Sequence, residues 1–162
     1  MGGRSVLDPE ILRMKYLSIR GLLSVPIPEG YRWRFDAETA VLFLTNEESG
    51  LALEFALMDY GIPAFTGTTE SNQWCHDWLV DYLRDVLGPP YTSSLAEIVG
   101  ATWSGWQAVT SLENGQFQGT RCITSNSSSI AIRISFPLTR GPMVSELIEI
   151  LENISFEDAM NS

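Results

Sequence analysis

The feature that most constrains this chain is strict alternation. Tyr31, Trp33 and Phe35 interleave with Arg32, Arg34 and Asp36, while Ile130, Ile132, Ile134 and Phe136 interleave with Ala131, Arg133 and Ser135. Successive side chains of a strand point to opposite faces, so a period of two predicts strands with one buried and one wet face. Further strand material lies at Ala40–Thr45 and Leu51–Met58, joined by the turn Asn46–Gly50, in which Gly50 can take a positive φ. Leu95–Trp103, Trp106–Ser111 and Phe117–Thr124 read the same way, with a strong hairpin signal at Asn114-Gly115 and a looser one at Asn126–Ser129. Antiparallel hairpins are expected throughout.

Three segments change period. Asp8 as N-cap and Pro9 at the first helical position predict a short N-terminal helix leading to Tyr16, ended by Pro26 and Pro28, which mark a loop or sheet edge. Ser71 is placed to cap a longer helix to about Leu87, with Trp74, Trp78, Tyr82 and Val86 every four residues and Leu79, Leu83 and Leu87 widening the stripe. Gly88-Pro89-Pro90 stops it. Pro142 opens a last helix whose Val144, Leu147, Ile148, Leu151 and Ile154 form an apolar stripe opposite Glu146, Glu149 and Glu152, with Phe156 docking beside it. The expected class is α+β: an antiparallel sheet of about six to seven strands packed with a long central helix, a C-terminal helix and a short N-terminal helix. At 162 residues the chain is expected to form one domain, residues 1–162, with an N-terminal helical segment (1–22), a core (23–156) and a tail (157–162).

Charge bounds the partners. Twenty acidic residues face ten basic ones, of which only Lys15 is a lysine, for a net charge of −10. Nucleic acid and anionic membrane surfaces both recruit Lys and Arg, so neither is expected as a partner. An acidic surface suits a protein with a basic or apolar patch, although negative charge also serves solubility alone. Self-association into a homo-oligomer is compatible with the sequence. Charged residues between Arg4 and Lys15 interrupt any signal-peptide run, and no stretch nears the roughly 18 apolar residues a membrane span needs, so a cytoplasmic location is expected. Cys75 and Cys122 are then expected reduced.

Catalytic chemistry finds little material. His76 is the only histidine, and its neighbour Cys75 points about 100° away on a helix. Cys122 could reach it only through the tertiary fold. Two cysteines and one histidine, scattered, do not make a zinc site; no glycine-rich loop cradles phosphate; and Glu47-Glu48 alone lacks a calcium loop's oxygens. No cofactor and no enzymatic activity are expected.

Three features qualify as recognition surfaces. Asp77, Asp81 and Asp85 stack at i, i+4 and i+8, where like charges repel by a few tenths of a kcal/mol and a basic partner would relieve the strain; Arg84 can partly neutralise them. Trp103-Ser-Gly-Trp106 sets two large aromatics around a small pair, the composition of an interface hot spot, though at least one of the two tryptophans suits a core. Glu47 and Glu48 form an acidic turn exposed in any hairpin.

The arrangement resembles the PsbP-like and DcrB-like α/β sandwich group, which includes chaperones associated with type VI secretion effectors. The resemblance rests on the run Val25 to Tyr31 (VPIPEGY) leading into a strand, the Trp74 to Leu87 helix, the hairpins around Asn114-Gly115 and the closing Glu146 to Phe156, and it spans Leu23 to Phe156. It implies a non-catalytic binding or chaperone module and transfers no individual residue role. Two protein-binding roles follow as expectations: an acidic immunity protein that blocks a toxin, or a chaperone that escorts a secreted effector. A carrier of a small apolar ligand, lined by Trp74, Trp78 or Trp103, and an enzyme of unrecognised type are the alternatives.

Overall fold

A computed structural model describes residues 15–58, 68–87, 93–100, 102–111, 117–125, 131–137 and 142–156. Within these residues ten strands and two helices run in the order β1 (Lys15–Ile19), β2 (Leu23–Ile27), β3 (Arg32–Asp36), β4 (Val41–Thr45), β5 (Ala52–Met58), α1 (Thr68–Tyr82), β6 (Ser93–Val99), β7 (Ser104–Ser111), β8 (Phe117–Thr124), β9 (Ala131–Pro137), α2 (Pro142–Glu152) and β10 (Ser155–Phe156). A single π-helical turn, Leu83–Leu87, continues α1.

The expected antiparallel α+β class is what forms. A seven-stranded sheet has the order β3-β4-β5-β9-β8-β7-β6, and a three-stranded sheet has the order β1-β2-β10. Every pairing is antiparallel. The small sheet and α2 cover one face of the large sheet. There Leu23, Val25, Leu42, Leu44, Phe55, Ile132, Ile134, Ile150 and Phe156 join one apolar cluster. The other face carries α1, whose Cys75, Leu79 and Leu83 meet Met58, Ala108, Cys122 and Ala131. One helix about 10 Å across cannot span seven strands spaced about 4.8 Å apart. α1 lies chiefly on β7 and β8.

Several expectations are corrected. Lys15–Ile19 is a strand, so the helical segment expected over 1–22 does not continue there; its proposed start at Asp8-Pro9 lies outside the described residues. The turn into β2 sits at positive φ at Arg20 and Gly21, closed by the Leu22 amide donating to the Ile19 carbonyl. Pro26 lies inside β2, opposite Tyr16. β6 ends at Val99, so Trp103 stands beyond the turn rather than in that strand. The long helix begins at Thr68, which places Ser71 inside its first turn, buried, and not at the cap. The buried stripe of α1 runs through Cys75, Leu79 and Leu83, while Trp74, Trp78 and Tyr82 flank it half-buried and Trp78 stacks on Tyr82 at 5.0 Å. β9 is buried on both faces over most of its length: Ala131 and Ser135 are buried like Ile132 and Ile134, with Ala131 packed in the α1 cluster and Ile132 and Ile134 in the cluster under the small sheet. In α2, Ile150 is fully buried and Ile148 half-exposed, so the buried stripe is Leu147, Ile150 and Leu151, with Ile154 buried just past the helix end; the side chain of Val144 lies outside the described residues. Phe156 is buried and pairs with Leu23.

Candidate functional site

The outer face of α1 presents Asp77, Asp81 and Asp85 with about two thirds of each side chain exposed. The sheet takes the Cys75 side of the helix, which leaves this face to water. The stripe is internally compensated. Arg84 donates to Asp81 at 3.0 Å and to Asp85 at 3.2 Å, and these carboxylates raise its pKa. Asp77 accepts from Gln73 at 2.9 Å and lies 3.2 Å from His76 Nδ1; these bonds lower its pKa.

Trp103 and Trp106 do not form one surface. Three residues apart across a strand start, they point to opposite faces of the sheet. Trp103 is buried in the large apolar cluster, and its Nε1 donates to the Ile154 carbonyl at 3.2 Å. Trp106 lies under α1, edge-on to His76 at 4.8 Å, and its half-buried ring leaves Nε1 without a partner among the described residues. The intervening Gly105 is a packing requirement, since a Cβ there would fall 2.0 Å from the Cys122 carbonyl oxygen. Trp103 and the Trp74, Trp78 pair therefore do not line a common ligand pocket.

Glu47 and Glu48 are exposed on the β4–β5 turn. The Asn46 side chain accepts the Glu48 and Ser49 amides at 2.9 and 3.2 Å, and Gly50 takes φ 79°. Glu47 lies 3.5 Å from Arg32 on edge strand β3. Glu48 has the freer charge of the two.

The groups considered for chemistry are dispersed. Cys75 and Cys122 are free thiols buried in the α1 interface, and burial, then contact with Cys75, pushes the Cys122 thiol far above its ordinary range. A thiolate nucleophile needs the opposite shift. His76 faces Trp106 and Asp77. Among the described residues no three His, Cys, Asp or Glu side chains gather as metal ligands, and no helix is long and apolar enough to cross a membrane.

A cleft escaped the sequence reading. On the face α1 leaves open, Phe43, Thr45, Ala52, Glu54, Ser135 and Pro137 line a space of about 480 Å³, with Phe117 contributing from the start of β8. Phe43, Glu54 and Ser135 are successive cross-strand partners on β4, β5 and β9, and the Arg34 guanidinium lies 4.3 Å over the Phe43 ring. Phe117 is about half exposed. The available signal was β4 itself: Val41 to Leu44 is apolar without alternation, so both its faces seek cover, and only one gets it from the core.

No known protein family and no curated protein matches the chain. Among solved structures it is similar to the cyanobacterial PsbP protein CyanoP from Synechocystis, with a TM-score of 0.59 at 8% identity, covering 89% of this chain and 92% of that one. The Ran-binding protein Mog1p of Saccharomyces cerevisiae aligns with a TM-score of 0.46 at 12% identity, over 87% of this chain and 94% of that one. The CyanoP similarity shows the fold: the PsbP-like architecture that the sequence resembles is the architecture formed.

Proposed function

We propose that this chain is a non-catalytic protein-binding domain. The observation that carries it is the open cleft beside α1, which Phe43, Glu54 and the half-exposed Phe117 line together. Exposed apolar surface rimmed by polar groups is the ordinary form of a protein contact site. An apolar segment of a partner bearing a basic group would satisfy both parts. The net charge of −10 would speed its approach.

Two biological roles fit. As an effector chaperone, the protein shelters an apolar segment in the cleft; as an immunity protein, it sets Asp77, Asp81, Asp85, Glu47 and Glu48 against a basic toxin surface. The cleft favours the first. Affinity capture from the source cells tests the proposal: the native chain retains a protein that Phe43→Asp and Phe117→Asp lose, while Asp81→Asn retains it. Capture that survives 0.5 M salt supports the chaperone role, and capture abolished by it supports the immunity role. Recovery of no protein contradicts the proposal; equal recovery by the cleft variants contradicts the chaperone role and the cleft as the contact site.

A further inference from the structure

The two edges of the seven-stranded sheet differ in kind. β3 carries a charge at every second position, Arg32, Arg34 and Asp36, and its Arg32 and Arg34 are already held by Glu47 and the Phe43 ring. Charged edge strands discourage further pairing. β6, sequence SSLAEIV, has one charge in seven residues. Ser94 through Glu97 and Val99 are exposed, with Val99 at 75%, and among the described residues β6 pairs with β7 alone.

The register identifies which backbone groups are open. The Gly100 amide donates to the Trp103 carbonyl at 2.8 Å, which makes those two a hydrogen-bonded pair. Such pairs alternate along an antiparallel ladder. Ile98 opposite Gly105, Ala96 opposite Gln107 and Ser94 opposite Val109 are therefore the bonded pairs that follow. The N–H and C=O groups of Leu95, Glu97 and Val99 consequently point away from the sheet. Their side chains share the face that bears α1, since Glu97 stands opposite Trp106 and accepts from the Asn72 amide. That neutral donor leaves the Glu97 charge uncompensated, and no cation pairs with it among the described residues.

We infer that β6 is a strand-addition site for an extended segment of another protein with the pattern apolar, any, basic, any, apolar. The added strand would bond its main chain to Leu95, Glu97 and Val99. Directly opposed side chains lie about 5 Å apart, so a lysine or arginine falls against Glu97 and apolar residues fall against Leu95 and Val99. The pattern reads the same in either strand direction. Main-chain bonds supply affinity and the alternate side chains supply selectivity.

A second copy of this chain does not meet these demands. Antiparallel self-pairing centred on Glu97 opposes two carboxylates, and centring it on Ala96 sets each Glu97 against Leu95 of the other copy. Each copy also brings a charge of −10. Pairing β6 with the β3 edge of another copy would place Arg32 and Asp36 against the two apolar positions when Arg34 meets Glu97. The inference rests on the protein-binding reading for its biological use, but its test is independent of the cleft.

The probe is a fluorescein-labelled, capped heptapeptide of threonine with valine at its second and sixth places and lysine at its fourth; a control peptide carries glutamate in place of the lysine. The lysine peptide is expected to bind at least tenfold more tightly than the control and to slow amide exchange at Leu95, Glu97 and Val99 at least tenfold. Glu97→Lys should reverse the preference. Leu95→Pro removes an outward-facing donor that the β6–β7 ladder does not use, a change edge strands tolerate; it should weaken binding at least tenfold with the circular dichroism unchanged. If that variant fails to fold, the Glu97→Lys reversal decides. Phe43→Asp should leave peptide affinity within twofold, which separates this site from the cleft. Equal binding of the two peptides, protection away from β6, loss of peptide binding in folded Phe43→Asp, or a dimer of the chain that Leu95→Pro dissolves would each overturn the inference.

Discussion

The two faces of the seven-stranded sheet are built from different materials. The face under the small sheet and α2 is a continuous apolar cluster. The α1 face contains Asn72, Ser104, Thr110, Thr120, Thr124 and Ser135 among its buried residues. All four buried polar atoms that lack a partner among the described residues, on Asn72, Trp106, Thr120 and Thr124, belong to that face. An unpaired buried polar group costs about 1–3 kcal/mol, so its repeated presence on one side is a departure from packing for stability alone. Such departures concentrate where a protein does something. The sealed face holds the fold together, and the α1 face gives up stability in and beside the layer under α1.

Mutations can break this contrast. Phe55→Ala, on the sealed face, should cost about 3–5 kcal/mol in urea denaturation, and Leu79→Ala, under α1, about 2–3 kcal/mol, the low end for a buried leucine. A larger loss at Leu79 than at Phe55 would reverse the ranking of the faces. Thr120→Val replaces an unpartnered hydroxyl with a methyl of similar shape and should stabilise by up to about 1 kcal/mol or be neutral; a clear loss would show that the hydroxyl is satisfied.

Alkaline pH sharpens the comparison, because each face buries one acid that ionises late. Burial, reinforced by contact with Cys75, raises the Cys122 thiol on the α1 face; burial, reinforced by Glu146 at 2.7 Å, raises the Tyr31 phenol on the sealed face. The fold then keeps protons that the unfolded chain releases near pH 8.5 for a thiol and near pH 10 for a phenol, both rough values. The unfolded state binds fewer protons, so stability should hold below about pH 8 and fall as pH rises from there to about 10.5. Urea midpoints across that range check it, and Cys122→Ala should flatten the lower part of the fall. The smallest effect is expected at the exposed stripe. Asp81→Asn should leave the melting temperature within a degree or two, since exposed ion pairs contribute little.

The elements were legible where a residue pattern decided them locally. Alternation located β3 and β9, Asn46–Gly50 located the β4–β5 turn, and the four-residue recurrence located α1. Burial depends on what covers a strand, and that is set by residues far away in sequence. β9 looked half-wet because Arg133 and Ser135 are polar, yet α1 reaches Ala131 and Arg133, whose guanidinium sits 5.4 Å over the Tyr82 ring, and Ser135 is buried beside the cleft. Arg20-Gly21 lacks the usual hairpin signature, so β1 and β2 went unread. The Asp77, Asp81 and Asp85 face was legible as exposed, but its pairing with Arg84 through both Asp81 and Asp85 was only half visible. The cleft was not legible, because its lining comes from strands separated by up to about ninety positions in the chain.

The most direct test is an amide hydrogen-exchange footprint of the protein bound to the partner it captures. If the chain binds through the α1 side of its sheet, protection appears around Phe43, Glu54, Phe117 and Pro137's neighbour Phe136, while the small sheet at Leu23–Ile27 is unchanged. Protection confined to the small sheet and α2, with none at the cleft strands, would contradict the account.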